Sequence, residues 1–390
     1  MKKKLSLITL IALLLGAAFG SFFKPAAAEL EFIGTIYINL LKFMIGPVIF
    51  TSIAVTAFDS AKKKSGLVGR AIITFVIMFV ATFLLTSAVV LLIDPAKGFV
   101  FDDVDWNNTT TEVSLSSIIV NLFPNNLVTI FAENKLFAII LFSYALGYCA
   151  SKVNDGRTLI ELIRIIRDIF YKMLEYIMYL TPLAVFSLIS ATVAKYGTIL
   201  FGVGVRYILT AYLAGALTLL LIMILPVWLF TGMSPLEFVR KIYRIWLITL
   251  TTCSSAATLP TTLRICKEEL NTPAEVADIV VPLGCTIHMC GGAVSFVLLG
   301  LFCSRLYGIE VTVYQYLLMI VSAVLINMSA PGIPNGGVVI GASYLQMLGI
   351  PLGFIGFYSG IYKILDMLYT TLNVTGDITA NVLLSRKKEK

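Results

Sequence analysis

Apolar residues run along this chain in blocks too long for any soluble helix. Continuous or nearly continuous apolar segments cover residues 5–23, 31–58, 66–94, 158–195 and 198–230, with a broken stretch over 115–150. Each exceeds the roughly 18 residues that mark a membrane-crossing helix, so the pattern predicts six spans in the first 230 residues. Further on, the apolar run Ile245 to Leu263 is bracketed by Arg240, Lys241 and Arg244 before it and by Arg264 and Lys267 after it. Basic flanks favour the cytoplasmic side, so both ends of this run belong on one face and its middle must turn back inside the membrane. That middle, residues 251–260 (TTCSSAATLP), holds small polar residues and a proline, which suit a helix break in a re-entrant hairpin. A second break, residues 327–337 (NMSAPGIPNGG), interrupts another apolar region.

An apolar helix interrupted by polar residues follows each break. The first carries Thr286, His288, Gly291 and Gly292; the second carries Asp366, Thr370, Asn373 and Asp377. A hairpin followed by an interrupted helix, occurring twice, is the pattern of an inverted repeat around a midplane transport site. The predicted fold is therefore an all-α polytopic membrane protein with eight transmembrane helices and two re-entrant helical hairpins. Positions 363, 366, 370, 373 and 377 are spaced by three and four, placing Lys363, Asp366, Thr370, Asn373 and Asp377 on one helix face. Acids at membrane depth cost about 2.5–3.5 kcal/mol on insertion scales and mark function. A carboxylate can hold an ammonium group or a cation, while an amide and a hydroxyl can bond a carboxylate, so the stripe suits a zwitterion travelling with a coupling ion.

Composition agrees: 58% of residues are hydrophobic and 13% charged, about half the charge of a soluble protein. The net charge of +7 comes largely from clusters beside apolar segments (Lys2 to Lys4, Lys62 to Lys64, Arg386 to Lys388), as positive-inside topology requires, rather than from a nucleic-acid surface. Residues 101–114 carry Asp102, Asp103, Asp105 and Glu112 and no base, which reads as an external loop. Met1 to Gly20 could pass for a signal peptide, but the spans that follow at once favour a retained first helix. The expected location is a bacterial inner membrane with both termini cytoplasmic. The six cysteines show no CxxC pair and read as small apolar residues. No nucleophile and base pair, phosphate loop or zinc-peptidase motif is present, and a single histidine restricts acid–base chemistry, so an enzyme is not expected. A soft-metal carrier using Cys285, His288 and Cys290 is disfavoured because 285 and 290 diverge on a straight helix. A substrate-gated channel is the other alternative.

The segments Ser254-Ser255-Ala256-Ala257-Thr258-Leu259-Pro260, Gly332-Ile333-Pro334 and Asp366 through Asn373-Val374-Thr375-Gly376-Asp377 resemble the glutamate/neutral amino acid transporter family, the dicarboxylate/amino acid:cation symporters, and the order of elements agrees over nearly the whole chain. The resemblance implies a homotrimer in the lipid bilayer working as an elevator. Residues 1–65 and 101–197 would form the scaffold, and 66–100 and 198–390 the moving transport part. It implies no cofactor, with sodium as coupling ion and an amino acid as substrate. By the same resemblance Asp366 would pair with the substrate's amino group, Asn373 and Thr370 would hold its main-chain end, and Ser254, Ser255, Pro331, Gly332 and Ile333 would close around it. One sodium ion would sit at Asp377 with backbone oxygens of Gly284, His288 and Asn373, and another at backbone oxygens around Thr286, Asn327, Met328 and Ala330.

Departures from the family pattern carry information. Tyr369 stands where acidic-substrate members place an arginine, and Gly292 where they place a threonine, so both contacts to a side-chain carboxylate are lost and a neutral amino acid is expected. An aspartate of the family's motif is Cys290 here, and the third span offers Phe75 to Val80 instead of hydroxyl residues, so the innermost sodium site looks dismantled and fewer ions are expected. Lys363 and His288 are the candidate groups to take over coupling, by sodium or by protons.

Overall fold

The computed structural model describes residues 2–62, 66–99, 126–132, 136–196, 199–327 and 336–385, and these are helical throughout with no strand among them. The first part comprises α1 (Lys2–Phe22), α2 (Lys24–Glu29), α3 (Glu31–Lys62), α4 (Gly66–Ile93), α5 (Leu127–Ala132), α6 (Leu136–Ala150), α7 (Gly156–Met178) and α8 (Thr181–Tyr196). Then come α9 (Ile199–Thr218), continued through a π-helical segment into α10 (Leu225–Thr231), and α11 (Pro235–Thr252), α12 (Ser255–Glu268), α13 (Ala274–Ile287), α14 (Cys290–Leu306), α15 (Val313–Asn327), α16 (Gly336–Met347) and α17 (Ile355–Ser385).

Among the described residues, Lys24–Asp59, Gly66–Ile93, Gly202–Thr231 and Ala274–Leu306 are long and apolar enough to cross a membrane, and α7 with α8 form a fifth stretch bent by 51°. Apolar side chains also point outward. On α4, Ile73, Ile77, Leu84 and Leu91 are exposed while Phe75, Phe79 and Phe83 are buried, so the helix is apolar on both faces, as contact with lipid on one side demands. The helix α17 is absent from those apolar stretches because its polar stripe dilutes its hydropathy, yet most of its residues are buried. It is the axis of one packed group, against which α11, α12, α13 and α14 lie. In the other group α3 packs on α6, α7 and α8, with Arg164 of α7 bonded to Asp59 of α3 at 3.0 Å.

The first sequence break is a helical hairpin of α11 and α12. Cys253 takes a left-handed conformation (φ 48°), ending α11, and the Ser254 hydroxyl accepts from the Ala257 N–H at 3.3 Å, starting α12. Pro260, expected to help break the chain, instead lies inside α12. At the open end Arg244 reaches Glu269 at 3.6 Å, so the two basic flanks lie side by side. The hairpin is pinned to α17 by Trp246 Nε1 donating to Thr375 Oγ1 (2.9 Å) and by the Thr249–Thr371 hydroxyl pair (2.8 Å). The second break separates α15 from α16; Met328, Ala330, Pro331, Gly332 and Ile333 lie outside the described residues.

Between α13 and α14 the chain is extended at His288 (φ −114°, ψ 111°) and Met289 (φ −134°, ψ 81°), so the helix is cut in two just ahead of Gly291 and Gly292, which lie inside α14. A cut helix exposes backbone groups that, away from water, need partners. Asn373 Oδ1 accepts the Gly291 N–H at 2.8 Å, and Asn327 Nδ2 donates to the Ile287 carbonyl at 3.3 Å. Replacing Asn373 by leucine leaves the Gly291 N–H buried and unpaired, at a cost of about 1–3 kcal/mol. Thermal unfolding of the substrate-free protein is expected to show a clear loss in Asn373→Leu and a smaller one in Asn373→Asp, which keeps an acceptor; equal losses in both would argue against the capping role.

Candidate functional site

The breaks bring their ends together beside α17. The cleft there admits water centres over about 60 Å³, room for on the order of four waters. Its walls come from the hairpin tip (Cys253, Ser255), the cut helix (Met289, Gly292, Ser295, Phe296), Asn327 at the end of α15, Gly337 and Ile340 of α16, and a stripe of α17 (Tyr362, Asp366, Tyr369, Thr370, Asn373).

Of the expected substrate-binding residues, the structure gathers Ser255, Gly292, Asp366, Tyr369, Thr370 and Asn373 on this cavity. Asp366 Oδ1 accepts from the Thr370 hydroxyl (3.3 Å) and from the Tyr362 hydroxyl (3.4 Å). Asn373 is oriented by its bond to Gly291, which engages the carbonyl oxygen and leaves the amide NH2 for the cavity. The Tyr369 hydroxyl and Asn327 Oδ1 are buried without a partner among the described residues. Ser254 is not on the wall; its hydroxyl serves as the cap of α12. Lys363 is also off the wall, half-buried beside the Cys253 thiol.

Sequence reading missed Tyr362, Ser295 and Phe296. Tyr362 precedes Asp366 by one turn and was available from the same spacing rule. Ser295 and Phe296 follow Gly292 by three and four residues, but their face is set by where the cut falls.

The expected sodium position at Asp377 lies off this cavity and is built differently from expectation. Asp377 is buried, and its Oδ1 faces His288 Nδ1 at 2.9 Å. The other ring nitrogen, Nε2, is 3.0 Å from Cys290 Sγ, and Phe75 stacks on the imidazole with centroids 4.5 Å apart. His288 was expected to contribute its carbonyl; the structure brings its side chain to the carboxylate as well. Because the helix is cut here, His288 and Cys290 meet without obeying helical spacing. No group of three His, Cys, Asp or Glu side chains among the described residues is placed to hold a metal ion. At the other expected position, Thr286 Oγ1 bonds the Leu283 carbonyl at 2.7 Å and Asn327 stands at the end of α15.

Residues 5–387 match the sodium:dicarboxylate symporter family. The chain is 26% identical to the proton/glutamate-aspartate symporter of Bacillus subtilis (strain 168), covering 99% of this chain and 95% of the relative. It is 25% identical to the proton/sodium-glutamate symport protein of Bacillus caldotenax (96% and 92% covered) and 24% identical to the C4-dicarboxylate transport protein of Laribacter hongkongensis (strain HLHK9) (98% and 89% covered). The family consists of transporters rather than enzymes. With its apolar helices and near end-to-end match, this chain is a multi-pass membrane transporter and a divergent member of the sodium:dicarboxylate symporter family.

Proposed function

We propose that the protein is a symporter for a neutral amino acid. The observation that carries this reading is the charge of the cavity: among its described walls there is one carboxylate, Asp366, and no arginine, lysine or histidine. An ammonium group on Asp366 and a carboxylate on the Asn373 amide NH2 and the Ser255 hydroxyl would satisfy both ends of a zwitterion. The side chain would then point toward Tyr369, Gly292 and Phe296, with the tip at Pro331, Gly332 and Ile333 closing over it. The relatives named above act on glutamate, aspartate or C4-dicarboxylates, according to their names. A second carboxylate would here be buried near Asp366 with no cationic partner among the described walls, a loss of several kcal/mol against a neutral analogue.

The drive proposed is sodium, taken up at the position of Thr286, Asn327, Met328 and Ala330, where Asn327 Oδ1, without a partner among the described residues, would add an acceptor to the backbone oxygens. Fewer ions would travel per cycle than in acidic-substrate relatives, and Lys363 is the proposed helper in coupling. The proposed working form is a homotrimer in a bacterial inner membrane with cytoplasmic termini. In it, 66–100 and 198–390 slide as an elevator against a scaffold of 1–65 and 101–197, with both hairpins re-entrant.

Thermal stability of the purified protein, read against each of the twenty amino acids and succinate in sodium or choline, tests the reading. A ligand at 100 times its Kd adds about 2.7 kcal/mol. Neutral amino acids should raise the melting temperature in sodium while glutamate, aspartate and succinate should not; stabilisation by an acidic compound would overturn the neutral assignment. Asp366→Asn should weaken binding by about 2–5 kcal/mol, roughly 30-fold or more. Tyr369→Arg supplies a guanidinium to the side-chain end, and aspartate or glutamate binding should appear in that variant. Lys363→Ala should alter the sodium dependence of uptake without altering which amino acids bind; unchanged sodium dependence would remove Lys363 from coupling.

A further inference from the structure

We infer that the cation position beside Asp377 is filled by the protein's own His288 imidazole, and that this chain takes up no sodium ion there. A hard cation needs several oxygen atoms converging on a space of its own. What converges on Asp377 Oδ1 is instead an imidazole nitrogen at 2.9 Å. The ring's second nitrogen is engaged by a thiol at 3.0 Å, so both have protein partners, and sulfur is a poor substitute for the oxygen ligands that sodium prefers. Phe75 covers the ring face with planes 14° apart, presenting carbon where a hydroxyl could have served.

Space argues the same way. A Cβ on Gly376 would come within 2.6 Å of His288 Cε1, and one on Gly284 would overlap Asp377 Oδ1. The imidazole and carboxylate therefore fit between two bare backbones with nothing to spare, and a sodium ion could enter only if the ring left. His288 and Asp377 are 0% and 2% exposed, so water does not offer the ring an alternative place.

The test needs no substrate, so its failure is distinguishable from failure of the neutral amino acid reading. Melting temperature of the purified protein is measured in sodium chloride against choline chloride for wild type, Asp377→Asn, His288→Asn and the double variant, with size-exclusion profiles as a check on folding. Asp377→Asn should respond to sodium as the wild type does. His288→Asn, which vacates the ring's space and offers an oxygen, should gain a sodium-dependent rise of about 2 °C or more beyond wild type, and the double variant should lose that gain. His288→Gln serves as a second probe if His288→Asn does not fold. The inference is overturned if Asp377→Asn alone abolishes the wild-type response, or if folded His288→Asn and His288→Gln respond no more than wild type. A wild type that does not respond to sodium would count against the Thr286–Asn327 position and leaves the His288 variants to decide the matter.

Discussion

The structure depends on one constraint: a helix cut at membrane depth must have its freed backbone groups paired by protein. The cut between α13 and α14 is what allows a cavity beside α17, and it holds only because side chains from elsewhere complete it. Asn373 accepts from Gly291 and Asn327 donates to Ile287, so two polar residues from different helices stand in for the missing helical bonds. These two side chains also line the cavity, which ties the stability of the cut to the shape of the site. Each asparagine is thereby fixed in orientation, in opposite senses: Asn373 commits its carbonyl oxygen to structure and keeps its amide NH2 for chemistry, while Asn327 commits its amide NH2 and keeps its carbonyl oxygen.

Much of this arrangement was legible in the sequence, and the limits of legibility are physical. The stripe on α17 could be read because a continuous helix converts spacing into direction, and Asp366, Tyr369, Thr370 and Asn373 do share one wall. The hairpin could be read from its basic flanks, which Arg244 and Glu269 bring together. Spacing fails where the backbone is not helical. On an ideal helix Cys290 and His288 point well apart; across the extended pair His288–Met289 they come within 3.0 Å of each other. Proline was also a poor guide to the first break. Pro260 sits inside α12, while the turn is made by Cys253 in a left-handed conformation, which no composition rule singles out, and by the cap of Ser254, one of the small polar residues that did mark the break.

The departures from the family pattern form a coherent set once their surroundings are considered. Tyr369 and Gly292 lie on the cavity, whereas His288, Cys290 and Phe75 cluster around Asp377 away from it. On the function proposed above, the first pair would bear on which substrate is held and the second group on which ion accompanies it. Such changes are tolerable only together. Phe75 alone, against a carboxylate with no other partner, would leave a buried acid beside carbon; with His288 in place the aromatic ring has an imidazole to stack on and the acid has a donor.

A tethered donor differs from a bound ion in one respect that bears on transport. A sodium ion released on one side must be captured again on the other, and each capture draws on the gradient. In the proposed elevator an imidazole fixed to α13's end would travel in both directions, supporting Asp377 equally on the loaded and the empty return and adding no driving force. On this reading the carrier concentrates its substrate less steeply than a relative that moves an ion at both positions. Its core would, in exchange, have one fewer site to fill before it could cross, and its dependence on the gradient would rest on the proposed position at Thr286 and Asn327 and on Lys363.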